Sequence, residues 1–129
     1  MFFVDSGNNK IGIASDSPTA TLHVNGSVAG KVTVASSFPY SVAADDYVIL
    51  VEGTGSPRAI NLPAKSGQTG RILIIKDAVG NASSNNIEIN PDGSENIDGS
   101  SDKLINTNRV ALTIMCATDQ WHIIAKYVD

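Results

Sequence analysis

The sequence predicts an all-β fold in two parts: short strands over residues 1–35, then a β-sandwich- or barrel-like domain over residues 36–129. Three observations carry that reading. Apolar residues recur at every second position in short runs, the period of a strand with one covered face. Gly, Pro, Asn, Asp and Ser cluster between those runs, where they supply the backbone angles that turns demand. Of 129 residues, 42% are hydrophobic but only 5% are aromatic and 17% charged, so Val, Ile, Leu and Ala dominate. That mix suits many short strands better than long helices.

The elements follow in order. Lys10-Ile11-Gly12-Ile13, Thr21-Leu22-His23-Val24 and Lys31-Val32-Thr33-Val34 are four-residue alternations, separated by Ser15-Asp16-Ser17-Pro18, Asn25-Gly26 and Ala29-Gly30. From about residue 40 the strands lengthen. Residues 47–51 and 71–76 are nearly continuous apolar runs, the pattern of strands covered on both faces. Residues 110–117 alternate, with Val110, Leu112, Ile114 and Cys116 on one side; residues 121–127 put Trp121, Ile123, Ala125 and Tyr127 on one face. Residues 53–57, 66–70, 80–86 and 91–102 are rich in Gly, Ser and Asn and read as loops. Residues 41–47 are the one stretch that accommodates a helical turn, with Asp45-Asp46 as a turn or cap before the next strand.

Composition and spacing exclude several functions. The net charge is −4 and the nine Lys and Arg are scattered, which argues against a nucleic-acid partner. No run approaches the ~20 apolar residues of a membrane span, and Met1-Phe2-Phe3-Val4 meets Asp5 too soon for a signal-peptide core. The single Cys116 allows no intrachain disulfide and reads as a core thiol. His23 and His122 sit in different parts of the chain and read as solvated or interface side chains rather than general bases. No Gly-x-Ser-x-Gly elbow is present. Gly53-Thr54-Gly55 meets Arg58 where a dinucleotide fingerprint needs its third Gly, and Gly67-Gln68-Thr69-Gly70 is followed by Arg71 rather than Lys. Asp92-Gly93 and Asp98-Gly99, with Asp102, lack calcium-loop spacing and read as two turns. The expectation is a protein without catalysis, cofactor or metal.

The first 35 residues pose a packing problem. Their large aliphatic side chains after the first turn are Ile11, Ile13, Leu22, Val24, Val28, Val32 and Val34. Burying these does not offset the entropy of ordering the segment, so it needs an outside surface. Two further copies around one axis, a homotrimer, supply it most simply and also satisfy the strand edges. The alternative is that the segment lies along the larger domain as an edge strand.

These residues also resemble a known family. Val4-Asp5-Ser6-Gly7-Asn8-Asn9-Lys10-Ile11-Gly12-Ile13, then Ser17-Pro18-Thr19-Ala20-Thr21-Leu22-His23-Val24-Asn25-Gly26, is similar to a recurring shaft and neck motif of phage tail fibres. Lys10 stands where that motif has Arg, and Ala14 where it has a second Gly. The remainder resembles a module of tail-fibre-like proteins through Asp46-Tyr47-Val48-Ile49-Leu50-Val51, Ile60-Asn61-Leu62-Pro63-Ala64, Gly70-Arg71-Ile72-Leu73-Ile74-Ile75-Lys76-Asp77 and Trp121-His122-Ile123-Ile124. The resemblance implies an intertwined β neck and a tip domain in a homotrimeric fibre. It further implies attachment to a host or prey cell surface, no cofactor, and a location on a virion tail or a bacterial cell surface.

Recognition on such a scaffold belongs to its loops. The candidate ligand-binding residues are Asn81, Asn85 and Asn86 in loop 80–86, Asp92 and Asp98 in loop 91–102, and Trp121. Trp121 is the only Trp and offers a flat surface for a cell-surface glycan, although its parity with Ile123 and Ala125 favours the core. Two alternatives stay open beside glycan attachment: a purely structural fibre connector, and a glycan-degrading enzyme.

Overall fold

The computed structural model describes residues 1–127, and among them the chain forms twelve strands and no helix. Two compact units result, Met1–Gly30 and the chain from Lys31 onward.

In the first unit, β1 (Phe2–Asp5) and β2 (Lys10–Ile13) form an antiparallel hairpin, and β3 (Leu22–Val24) adds in parallel to β2. Asp5 holds the hairpin turn, its carboxylate accepting the Asn8 backbone N–H at 3.1 Å and the Asn8 amide at 2.9 Å. Gly12 is required where it stands, because a Cβ there would meet the Ser15 carbonyl oxygen at 2.0 Å. Register and alternation align Val4, Ile11 and Leu22 in one row and Phe2, Ile13 and Val24 in the next. All six lie on the same face. That face is open: Phe2 is 66% exposed, Val4 57% and Leu22 61%.

The second unit holds two sheets. β4 (Val32–Ala35), β6 (Val48–Val51), β8 (Ile72–Asp77), β11 (Ala111–Cys116) and β12 (Trp121–Tyr127) form a five-stranded sheet in the order β12-β11-β8-β6-β4. β5 (Tyr40–Ser41), β7 (Arg58–Asn61), β9 (Ile87–Asn90) and β10 (Lys103–Ile105) form a four-stranded sheet in the order β10-β9-β7-β5. Parallel and antiparallel pairs mix in both sheets. Ile49, Leu73, Ile75 and Ile114 from one sheet and Ile60, Ile87, Ile89 and Ile105 from the other belong to a single buried cluster, so the sheets cover each other's apolar faces. Cys116 lies in that core, 1% exposed, and burial pushes its thiol pKa up.

Three features differ from the sequence reading. Residues 32–35, grouped above with the first segment, pair in parallel with β6 and belong to the second unit. Residues 41–47 make no helical turn: Ser41 is in β5, and the Asp46 carboxylate captures the Ala43 N–H to close a tight turn. β6 and β8 bury every second side chain rather than both faces, so Val48, Leu50, Ile72 and Ile74 are only half-buried.

Asp46 also ties one sheet to the other. Its buried carboxylate accepts the Thr33 hydroxyl of β4 at 2.6 Å and the Tyr40 hydroxyl of β5 at 2.7 Å. Burial alone would raise its pKa, but these hydrogen bonds, the Ala43 N–H and Lys31 together hold it below the ordinary value. Tyr40→Phe removes one donor to a buried charge, and urea denaturation is expected to show a loss of about 1–3 kcal/mol.

Candidate functional site

The outer face of the four-stranded sheet is polar, and alternation makes it so. Arg58, Ile60, Ile87, Ile89 and Ile105 point into the protein, which turns Ala59, Asn61, Glu88, Asn90 and Leu104 outward. Three recesses border this face. The first, of about 480 Å³, lies between loop residues Ser83, Ser84, Asn85 and Asn86, the Ser56–Pro57 ridge, and Glu88 with Leu104 on the sheet. The second, of about 370 Å³, is lined by Ser41, Asn61, Pro63, Pro91, Asp92 and Gly93, together with Val42 and Leu62. The third, of about 460 Å³, sits across the same ridge and includes Ser36, Ser37, Phe38 and Ala59.

Among the described residues no Lys, Arg or His lines any of the three recesses, and the charged groups present are the carboxylates of Glu88 and Asp92. Hydroxyls, amides and two carboxylates suit a neutral polyhydroxylated ligand. They repel phosphate, sulfate or carboxylate groups. Among the described residues no three His, Cys, Asp or Glu side chains converge in a metal-binding group.

Beneath the first recess lies a buried ion pair. Arg58 and Asp77 are each 0% exposed, with Nη1 to Oδ1 at 3.3 Å. The rest of the guanidinium donates to the Asn85 carbonyl, from Nε at 3.0 Å and also from Nη2. Asp77 Oδ2 accepts the N–H groups of Ala82 at 3.2 Å and Arg109 at 3.0 Å. Burial pushes the Asp77 pKa up, but the two backbone donors and the Arg58 charge outweigh it and hold the carboxyl below its ordinary value. The loop over 80–86 is therefore anchored from below. From the side, the Asn85 amide donates to the Gly55 carbonyl at 2.8 Å and the Thr54 carbonyl at 3.3 Å, which joins it to the neighbouring loop.

The candidate residues from the sequence do not form one site. Asn85 and Asn86 line the first recess, and Asp92 lines the second. Asn81 stands behind the loop, its carbonyl accepting the Ser84 and Asn85 N–H groups. Asp98 is elsewhere, with a positive φ of 46°, accepting the Ile123 N–H at 3.3 Å and lying 3.5 Å from His122. Trp121 is corrected outright: it is 0% exposed, inside the core cluster, so its ring is no stacking surface for a sugar. Its indole N–H is buried without an acceptor. Ile97, at the centre of loop 91–102, is also fully buried and bridges to Trp121 and Ser100, so that loop is pinned rather than projected. Sequence reasoning missed Ser56 and Glu88, while Ser83 and Ser84 lie in the loop it picked, 80–86. The alternation Ile87-Glu88-Ile89-Asn90 carried the signal for Glu88, since it sets polar groups on one face of a strand.

Neither a family model nor a curated protein matches the chain.

Two outcomes follow from the anchor. Asp77→Ala leaves Arg58 buried and unpaired, so chemical denaturation is expected to show a loss of about 3–5 kcal/mol, with earlier proteolytic cleavage in loop 80–86. Folding lowers the pKa of both Asp46 and Asp77 from 3.8. Their stabilisation is complete above that value and declines as the pH falls toward the depressed ones. Asp77→Asn is expected to flatten this acid limb in stability measured from pH 5 downward.

Proposed function

We propose that the chain is part of a trimeric fibre of the phage tail-fibre type, on a virion or a bacterial surface. In this reading the first unit is its neck and the second its tip, and the tip attaches to a cell by holding neutral glycan on the outer face of the four-stranded sheet. The observation that carries the reading is the open face of the first unit, where Phe2, Val4, Ile11, Ile13, Leu22 and Val24 all sit on one side of a three-stranded sheet. With its apolar side in water, a sheet of three- and four-residue strands buries too little surface to offset the entropy of ordering it, and sister copies cover it while closing its edges. The polar, cation-free recesses support glycan as the ligand, its hydroxyls donating to the Glu88 and Asp92 carboxylates and exchanging hydrogen bonds with the Asn86 amide. Such contacts are weak singly. Three copies on one fibre multiply them.

A connector role is the second reading, and one observation favours it: among the described residues Phe38 is the only aromatic one lining any of the three recesses, whereas sugar sites commonly use stacking rings.

Native mass spectrometry is expected to find a trimer; a chain that stays monomeric at every soluble concentration contradicts the fibre. On a glycan array the trimer is expected to favour neutral over acidic glycans. Asn86→Ala, Glu88→Ala and Asp92→Ala are each expected to weaken binding by about three- to tenfold per site without lowering Tm. A trimer that binds no glycan leaves the connector.

A further inference from the structure

The second unit has two outer sheet faces, and their chemistry differs. The four-stranded sheet turns Ser41, Asn61, Glu88 and Asn90 outward. The five-stranded sheet turns out Val34, Val48, Leu50, Ile72, Ile74 and Met115, which registers place in adjoining rows. On its edge strand Val32 is 58% and Val34 50% exposed. A sheet face that ends at water is normally polar. Among the described residues of these rows the one Lys, Arg, Asp or Glu is Lys76. Its ammonium is folded back, donating to the Arg109 carbonyl and lying 5.6 Å from the Tyr127 ring centroid.

We propose that this face is the seam between copies of the chain, with three protomers packing their five-stranded sheets around the fibre axis and turning their four-stranded sheets outward. The inference rests on the trimeric reading above and adds which surface closes the ring. The face offers a glycan few donors and acceptors, Thr113, His122 and Tyr127 beside Lys76, and cations at its margin are engaged elsewhere, Lys31 by Asp45 and Arg71 by Gln68 and the Ala43 carbonyl, rather than set out for a lipid headgroup. A second copy fits for two reasons. The whole chain carries a net charge of −4, so copies repel wherever charged surfaces meet, and this face is nearly free of charge.

Area supplies the other reason. Five strands at ~4.8 Å spacing, four to six residues of each at ~3.3 Å, outline about 300–500 Å². Side-chain relief adds to that outline, which is a substantial part of the ~800 Å² per partner of a stable complex.

The test uses the full chain. Ile74→Lys sets a charge at the middle of the face, and Leu104→Lys sets the same charge on the opposite sheet. Ile74→Lys is expected to raise the midpoint concentration for trimer dissociation roughly 100-fold or more with an unchanged circular dichroism spectrum, while Leu104→Lys leaves the trimer intact. If the unaltered chain is trimeric and Ile74→Lys does not shift the midpoint, the seam is overturned and the trimer stands; if the unaltered chain is monomeric, both fall.

Should Ile74→Lys unfold the chain, a benzoylphenylalanine cross-linker at position 34 decides. In protein refolded from mixed isotopically light and heavy chains, mixed-label cross-linked pairs are expected. Cross-links confined within single chains, showing the face covered by its own chain, or no cross-links at all, overturn the proposal.

Discussion

The pairing of Arg58 with Asp77 is the constraint from which the rest of the second unit is organised. Arg58 opens β7 in one sheet and Asp77 closes β8 in the other, and both side chains are fully buried. Coulomb attraction does not by itself justify burying two charges, since desolvation cancels most of it. What the pair adds is position. Around Asp77 converge groups 5, 19 and 32 residues away in the chain: Ala82, Arg58 and Arg109. Gly80 permits this convergence, with φ at +74° and the Arg109 Nε where a Cβ would meet it at 2.6 Å. An apolar pair of equal volume would fill the space but leave three backbone groups, the N–H of Ala82 and Arg109 and the carbonyl of Asn85, without partners. The loop that lines the first recess is thus fixed by the core of the domain rather than by its own sequence.

Asp46 repeats the device at the far edge of the sheets, where β4 and β5 meet a carboxylate instead of an apolar contact. Between the two buried acids the core is wholly aliphatic apart from Trp121 and Cys116. Aliphatic layers set the spacing of the sheets but discriminate poorly among registers. Hydrogen-bonded carboxylates at defined points discriminate well, because a one-residue slip would bury them unpaired.

How far the sequence revealed this depends on the range of each interaction. Strands β11 and β12 were legible because Val110, Leu112, Ile114, Cys116 and Trp121, Ile123 carry period-two patterning within one short window. Lys103–Ile105 was not, since a three-residue strand with Leu104 45% exposed leaves no period to read. The assignment of residues 32–35 turned on a parallel pairing with β6, for which no local signal exists. Trp121 was readable by parity, and its burial follows the rule that parity stated. Of the site, the polar composition of loop 80–86 was visible, while its partner ridge at Ser56–Pro57 and the anchor beneath it depend on contacts 19 to 31 residues apart.

The most informative departure concerns the apolar runs at 47–51 and 71–76. Such runs belong to strands covered on both faces, yet one chain covers only one face of β6 and β8. Either the pattern is idle or the second cover comes from outside the described fold. An idle pattern is hard to sustain physically, because Leu50, Ile72 and Ile74 at a permanently wet surface add aggregation hazard and no stability. The opposite sheet shows that this chain can make an outer face polar, with Ser41, Asn61, Glu88 and Asn90 in the corresponding places. The apolar choice is therefore confined to one sheet of the second unit and one face of the first.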